Sequence, residues 1–464
     1  MRDIFLVLIL LAFVISSFRV PYFMALGYLW VDFLQPQRMG YYLFNQLPVA
    51  MILGAGAFLA YILFDRERRL RLDTLQVLVL LLVGWATLAT FGWGEVDGSA
   101  KWDWVSKALL FSVFLPFVLT NRVRIEAALA VMIFSMSAIT ISGGLKTLMG
   151  GGGYGTLSLL VSNNTGLYEG SILSTVGCAT IPLVWWLYKN NSFVPPSKIT
   201  FLLASGLSLS FILITFGSEA RTGLLALGVL LVILWWQSKR KILYATAISI
   251  AFLLALPFVP KSFTDRMDTI GSFQADQSAS TRIAVWNWTL DYLKDNPLGG
   301  GFDLYKINSV EVTLVETSGS EDSTNTTYRT VTDKARAFHS SYFEVLGETG
   351  YIGFFIWSSI MVVFYLSGMR LHKKNKDIVE EQGSDRVSDA EWCSSFGRAI
   401  MIYVPVLMTG SLFVGIAFQP ALFNIVALTV AVKNYQFSKL EPYQRGAKAT
   451  RSRNASLRGR RVSA

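Results

Sequence analysis

Ala337-Phe338-His339-Ser340-Ser341-Tyr342-Phe343-Glu344-Val345-Leu346-Gly347-Glu348-Thr349-Gly350-Tyr351-Ile352-Gly353 marks the point where a long polar stretch runs back into an apolar one at 343–369. A bilayer core is crossed by roughly 20 apolar residues, so this junction reads as the edge of a membrane span. It carries His339, one of two histidines in the chain. The other, His372, lies in a lysine-rich turn beyond the far end of the same span. An imidazole at a membrane edge, beside basic residues, is a candidate for proton chemistry on a lipid-linked substrate. The alternative is an interfacial histidine that only caps a helix.

Working outward, the composition agrees with a membrane setting. The 464 residues are 53% hydrophobic and 16% charged, where a soluble domain would carry about 25% charge. Apolar windows fall near 45–64, 75–91, 105–120, 125–142, 170–188, 199–217, 221–237, 241–258, 343–369, 398–417 and 421–436. The fold class expected is therefore an all-α polytopic membrane protein. No run of alternating short strands suggests a barrel. The two cysteines, Cys178 and Cys393, make neither a disulfide framework nor a metal pattern. Arg2 precedes an apolar run to Val14 with no small-x-small cleavage site, which reads as an uncleaved first span or signal anchor.

Short connectors carry Arg66, Arg68, Arg69 and Arg71; Arg122 and Arg124; Lys239, Arg240 and Lys241; and Arg370, Lys373, Lys374 and Lys376. Positive connectors stay cytoplasmic, and these clusters fall on one side of the eleven windows. Residues 1–44 are split by Arg19 and Pro21, and one full crossing plus a broken or interfacial segment there satisfies parity. The expectation is about 12 transmembrane helices with both termini cytoplasmic. Residues 1–258 would hold the first ten spans, 259–340 a periplasmic loop subdomain between the tenth and eleventh, 341–437 the last spans, and 438–464 a basic cytoplasmic tail. That tail suits anionic lipid headgroups rather than nucleic acid.

Within the large loop, residues 280–296 read as an amphipathic helix with Ile283, Trp286, Leu290 and Leu293 on one face. Asn296-Pro297-Leu298-Gly299-Gly300-Gly301 stops it. Residues 308–332, rich in Ser, Thr, Glu and Asp, are expected to be a mobile lid or exposed loop.

Arg221, Arg266 and Arg282 share the outer side with His339. Charge at the edge of a bundle is costly unless it is paired or faces a polar cavity, and an anionic ligand would be a reason for it. Guanidinium forks bind phosphate oxygens bidentately. The alternatives are an ion pair with Glu219 for Arg221 and solvation for Arg266. Lys146, beside Gly150-Gly151-Gly152-Gly153-Tyr154-Gly155, is a weaker member that also reads as a snorkelling lysine. The glycine run has no Walker pattern. No His, Cys and carboxylate cluster suggests a metal, and no cofactor is expected.

The order of these motifs resembles the O-antigen ligase superfamily. It is carried by Ser218-x-x-Arg221-Thr222-Gly223 at the head of a span. It continues through Ser280-Thr281-Arg282-x-x-x-Trp286 and Asn296-Pro297-Leu298-Gly299-Gly300-Gly301, and ends in His339-Ser340, nine residues, then Gly350-x-x-Gly353. Many relatives have asparagine where this chain has Ser340. Asp32-Phe33-Leu34-Gln35-Pro36-Gln37-Arg38 resembles a subgroup of exosortase-associated O-glycosylation ligases. The likeness covers most of residues 20–436.

That resemblance implies a metal-independent, inverting glycosyltransferase with a GT-C-like membrane fold in the bacterial inner membrane, its site facing the periplasm. The donor would be O-antigen on undecaprenyl diphosphate, and the acceptor a sugar hydroxyl of lipid A-core. His339, Arg282 and Arg221 would be catalytic; Arg221, Arg282, Arg266 and Lys146 would hold the diphosphate. A protein O-oligosaccharyltransferase or an O-antigen polymerase would use the same donor. A lipid-linked sugar transporter is the reading from another class. It would place its polar residues at mid-membrane depth, often in inverted repeats.

Overall fold

The computed structural model describes residues 2–65, 71–150, 157, 159, 160, 166–246, 249, 277–320, 323–380 and 387–440. The chain is a helical membrane protein. Its helices are α1 (Arg2–Ser17), α2 (Phe23–Leu34), α3 (Val49–Phe64), α4 (Thr74–Gly92), α5 (Ser99–Val118), α6 (Arg122–Leu148), α7 (Gly170–Asn190), α8 (Lys198–Gly217), α9 (Arg221–Gln237), α10 (Gln277–Asp295), α11 (Ser341–Glu380), α12 (Val387–Gly410) and α13 (Pro420–Lys439). Short helical turns are left unnumbered. Among the described residues six helices are long and apolar enough to cross a membrane: α4, α6, α7, α8, α11 and α12. Three shorter helices, α2, α3 and α9, are also apolar. The helix ends follow the capping chemistry of the sequence. Asp73 closes a capping box with Gln76 at the head of α4, Asn121 caps α6, and the Glu169 carboxylate caps α7.

The bundle has two unlike ends. At one, basic residues pair with acids from other helices: Arg124 with Asp65 at 2.7 Å, Arg122 with Asp389 at 3.1 Å and Lys433 with Asp73 at 2.6 Å. His372 belongs to this end, its Nδ1 lying 3.0 Å from Ser394 Oγ. The opposite end carries the turns between α4 and α5 and between α8 and α9, and the start of α11.

Three expectations need correction. Residues 308–332 are not a structureless loop. Strand β1 (Ser309–Ser320) and strand β2 (Ser323–Lys334) form an antiparallel hairpin, with Ser309 opposite Lys334 and Thr317 opposite Thr326. Its Ser, Thr and Glu content suggests exposure, but the β-branched residues Val310, Val312, Thr313 and Val315, with Thr330, Val331 and Thr332, favour an extended backbone.

The second correction concerns α10, whose buried face is Val285, Thr289 and Leu293. Ile283 and Leu290 remain exposed. The helix is turned toward a small cluster with Leu304, Val310 and Phe338, built by segments that follow it in the chain.

The third concerns the chain start. Asp3 accepts the amides of Tyr41 and Tyr42 at 2.8 and 3.0 Å. These follow Leu34, whose carbonyl receives the Tyr168 hydroxyl just before α7 begins. The head of α1 therefore lies at the end away from the basic clusters. Its tail returns toward Tyr22, which lies under the Arg124 guanidinium. Residues 2–44 make a hairpin of two helices rather than one full crossing and a broken segment. The described chain thus starts and finishes at opposite ends of the bundle, against the expectation of two cytoplasmic termini.

Candidate active site

The site is organised by a break in α11. Gly350 has φ 64° and ψ −168°, a conformation open essentially to glycine alone. The break frees backbone groups, and the Asn296–Gly301 turn supplies partners. Tyr351 N–H donates to the Pro297 carbonyl at 3.0 Å. Gly300 and Gly301 amides donate to the carbonyls of Gly347 and Glu348 at 3.0 and 2.9 Å. The Thr349 carbonyl takes the Trp85 indole N–H at 2.7 Å. A Cβ on Gly299 would overlap the Gly350 amide, and one on Gly350 would overlap Leu298 and Pro297. The two glycine motifs of the sequence are thus the two faces of one docking contact.

Beneath that contact lies a buried charge cluster that the sequence reading missed. Lys101 Nζ lies 2.7 Å from Glu344 Oε1 and 2.9 Å from both oxygens of Glu348. Glu348 also accepts the Asp303 amide at 3.0 Å. Both glutamates were visible in the 337–353 stretch. Their lysine lies 243 and 247 residues away, and only folding brings it in.

The start of α11 is fixed from the other side by the turn after α12. Ser341 N–H donates to the Ser411 carbonyl at 2.9 Å, its hydroxyl donates to Val414 O at 2.7 Å, and that hydroxyl accepts the Ile416 amide at 2.9 Å. The Trp286 indole stacks on Phe343 with centroids 4.9 Å apart and planes at 1°, and donates to the Phe338 carbonyl at 2.9 Å. His339 follows directly, in the left-handed region at φ 48°. Its imidazole is lowered in pKa, first by the protein packed around it and then by the positive charge of Arg282 and Arg336. The ring keeps an exposed side. A neutral imidazole open to solvent and flanked by guanidiniums can accept a proton next to a bound anion.

The structure therefore brings Arg282 to His339 and adds Arg336, which the sequence reading did not single out. Its only signal was a position three residues before the histidine. Arg221 occupies the same end of the bundle. Gly410, next to Ser411, packs against Thr175, and the neighbouring Ser174 packs against Gly223, two residues beyond Arg221. Lys146 shares that end, since the adjacent Thr147 packs on Gly217 just before the α8–α9 turn. Arg266 and the glycine run 151–155 lie outside the described residues. Among the described residues no three His, Cys, Asp or Glu side chains converge as a metal site would require.

Residues 1–192 match the model of a family of unknown function, DUF5935. No curated protein matches the chain. Residues 206–358 match the family model described as O-Antigen ligase, a segment that holds Arg221, Arg282 and His339 together with both glycine motifs. The match is to this domain, and it supports a place for the chain in the O-antigen ligase superfamily.

Proposed function

We propose that this chain is an O-antigen ligase that moves a polysaccharide from undecaprenyl diphosphate to a sugar hydroxyl of lipid A-core at the periplasmic face of the inner membrane. The observation that carries this reading is the seating of His339 beside Arg282 and Arg336, inside the O-antigen ligase domain and at the end away from the paired basic clusters. Positive connectors remain cytoplasmic, which turns the His339 end toward the periplasm. The Asp32–Arg38 stretch supports placement in the exosortase-associated subgroup.

The leaving group is already a lipid diphosphate, so the transfer needs no nucleotide. Arg221 and Arg282, with Arg266 and Lys146, hold the diphosphate and stabilise the charge that grows on its terminal oxygen as the glycosidic C–O bond breaks. The acceptor oxygen forms the new bond to the anomeric carbon, and its proton passes to His339. A single in-line displacement inverts that carbon. A positioned general base contributes on the order of 10²–10⁴-fold.

The test is complementation of a Gram-negative strain that lacks its own ligase, using this chain or its His339→Ala variant. A lipopolysaccharide ladder restored by the wild type and lost with a normally expressed variant is the expected result. Glycan that builds up on undecaprenyl diphosphate without reaching lipid A-core would overturn the acceptor assignment. It would direct the search to a protein or glycan acceptor.

A further inference from the structure

The base of the β1–β2 hairpin is joined to the body by Val310, buried against α10, and by a clamp at Asn308. Asn308 is 1% exposed. Its Nδ2 donates to the Arg336 carbonyl at 2.6 Å, and its Oδ1 accepts the Arg336 amide at 2.9 Å. The Ala335 amide donates to the Asn308 carbonyl at 3.0 Å. Two residues beyond Arg336, the Phe338 carbonyl is held by Trp286. Between these fixings the backbone carries Ala335 at φ 54° and His339 at φ 48°. Non-glycine residues in that region each cost on the order of 1–3 kcal/mol and persist only where the surroundings over-determine them. The short run from 335 to 339 is thus built rigidly, and it presents two side chains outward, Arg336 and His339.

Arg336 is half exposed, and its guanidinium touches one acid, Asp333 Oδ1, at 3.0 Å. A pair three residues apart whose arginine is half exposed adds about 0–1 kcal/mol, even with Asp333 itself more buried. Such a pair does not require a buried asparagine that spends both ends of its amide on the backbone of Arg336. A guanidinium does require this when it must meet an anion in a set geometry, because the fork binds oxygens bidentately. Asp333 offers the same oxygen chemistry as phosphate with less charge, so a phosphate oxygen suits the same guanidinium.

We propose that Arg336 is a further donor-binding residue, exchanging Asp333 for a phosphate oxygen of the lipid diphosphate and acting with Arg282 beside His339. The proposal rests on the donor reading given above and extends it by one ligand and one exchange step. No covalent bond changes in that step; an ion pair to carboxylate is replaced by one to phosphate.

The experiment is equilibrium binding of undecaprenyl diphosphate to the full chain in detergent micelles, with undecaprenol as the uncharged comparison. Arg336→Gln should weaken diphosphate binding about tenfold or more, the range of a lost charge-assisted hydrogen bond. Arg336→Lys, which keeps the charge and loses the fork, should fall between. Asp333→Asn should bind at least as tightly as the wild type. The proposal is overturned by Arg336→Gln binding within about twofold of wild type. It is also overturned by Asp333→Asn losing as much as Arg336→Gln, because the pair would then be a structural tie. A wild type that does not distinguish the diphosphate from undecaprenol would remove the donor reading itself, so the two failures are separable.

Discussion

The Trp286 indole N–H donates to the carbonyl of Phe338 at 2.9 Å, one residue before the imidazole that the site is built around. The bond ties a helix of the large loop to the start of a membrane-crossing helix, and the flat stack of Trp286 on Phe343 holds the ring in place. Trp286→Phe keeps a stacking ring and deletes the donor. A neutral hydrogen bond contributes about 0.5–1.5 kcal/mol, so ligation should slow about 2–10-fold with normal protein level. Turnover on purified donor and acceptor checks this; an unchanged rate would mean that the carbonyl finds another donor.

His339 should set the acid limb of the rate profile. Its pKa is held below the ordinary histidine value by the packing around it and by Arg282 and Arg336, so the imidazole stays neutral and competent to lower pH than a free histidine. Among the described residues the charges that act on it are these two guanidiniums, with Asp333 on Arg336. Taking away the Arg336 charge removes one cause of the depression, and Arg336→Gln should move the limb in kcat/KM to higher pH. Bound diphosphate brings negative charge, so the limb in kcat should lie above that in kcat/KM, the two reporting the complex and the free enzyme. Coincident limbs in both profiles and both proteins would remove His339 as the titrating base.

Arg282→Lys should lose most ligation although the charge is kept, because an ammonium cannot reproduce the fork. Full activity of that variant in the complementation strain would reduce Arg282 to a point charge.

Gly350→Ala should be poorly tolerated. The position lies in a glycine-only region, where strain costs on the order of 1–3 kcal/mol, and the added Cβ would overlap Leu298 and Pro297. Thermal unfolding in detergent should show a lower midpoint than for Gly84→Ala, whose site on α4 has open space for a Cβ.

Lys101→Met should destabilise by about 3–5 kcal/mol, since it leaves two acids crowded without their cation. The Lys101 and Glu348 side chains are 13% and 0% exposed, so solvent screens little of this. The double change Lys101→Met with Glu348→Gln should recover part of the loss. No recovery would mean that the cluster acts through packing rather than charge.

The helix positions were legible because a lipid-facing helix must be apolar over a fixed length, and the run from Lys198 to Gly217 shows it without help from neighbours. The rotation of α10 was not legible. Ile283 and Leu290 are apolar enough to be core, and only the arrival of Val310 and Phe338 decides that Val285 is buried instead. The Lys101 cluster and the return of Asp3 to Tyr41 depend in the same way on pairings across long stretches of chain. A candidate site residue stands out in the sequence where its chemistry is rare, as with a lone outer histidine. Arg336 was hidden because one more arginine in a polar loop carries no local signature.

Asn308 has a consequence for how this protein can diversify. Beyond the buried Val310, the hairpin leaves and returns past that one side chain, so the excursion is closed at its neck. Closing a flexible loop costs only about 0.6 kcal/mol more for each doubling of its length. The arm can therefore be lengthened, shortened or re-sequenced by insertion without shifting Arg336 or His339.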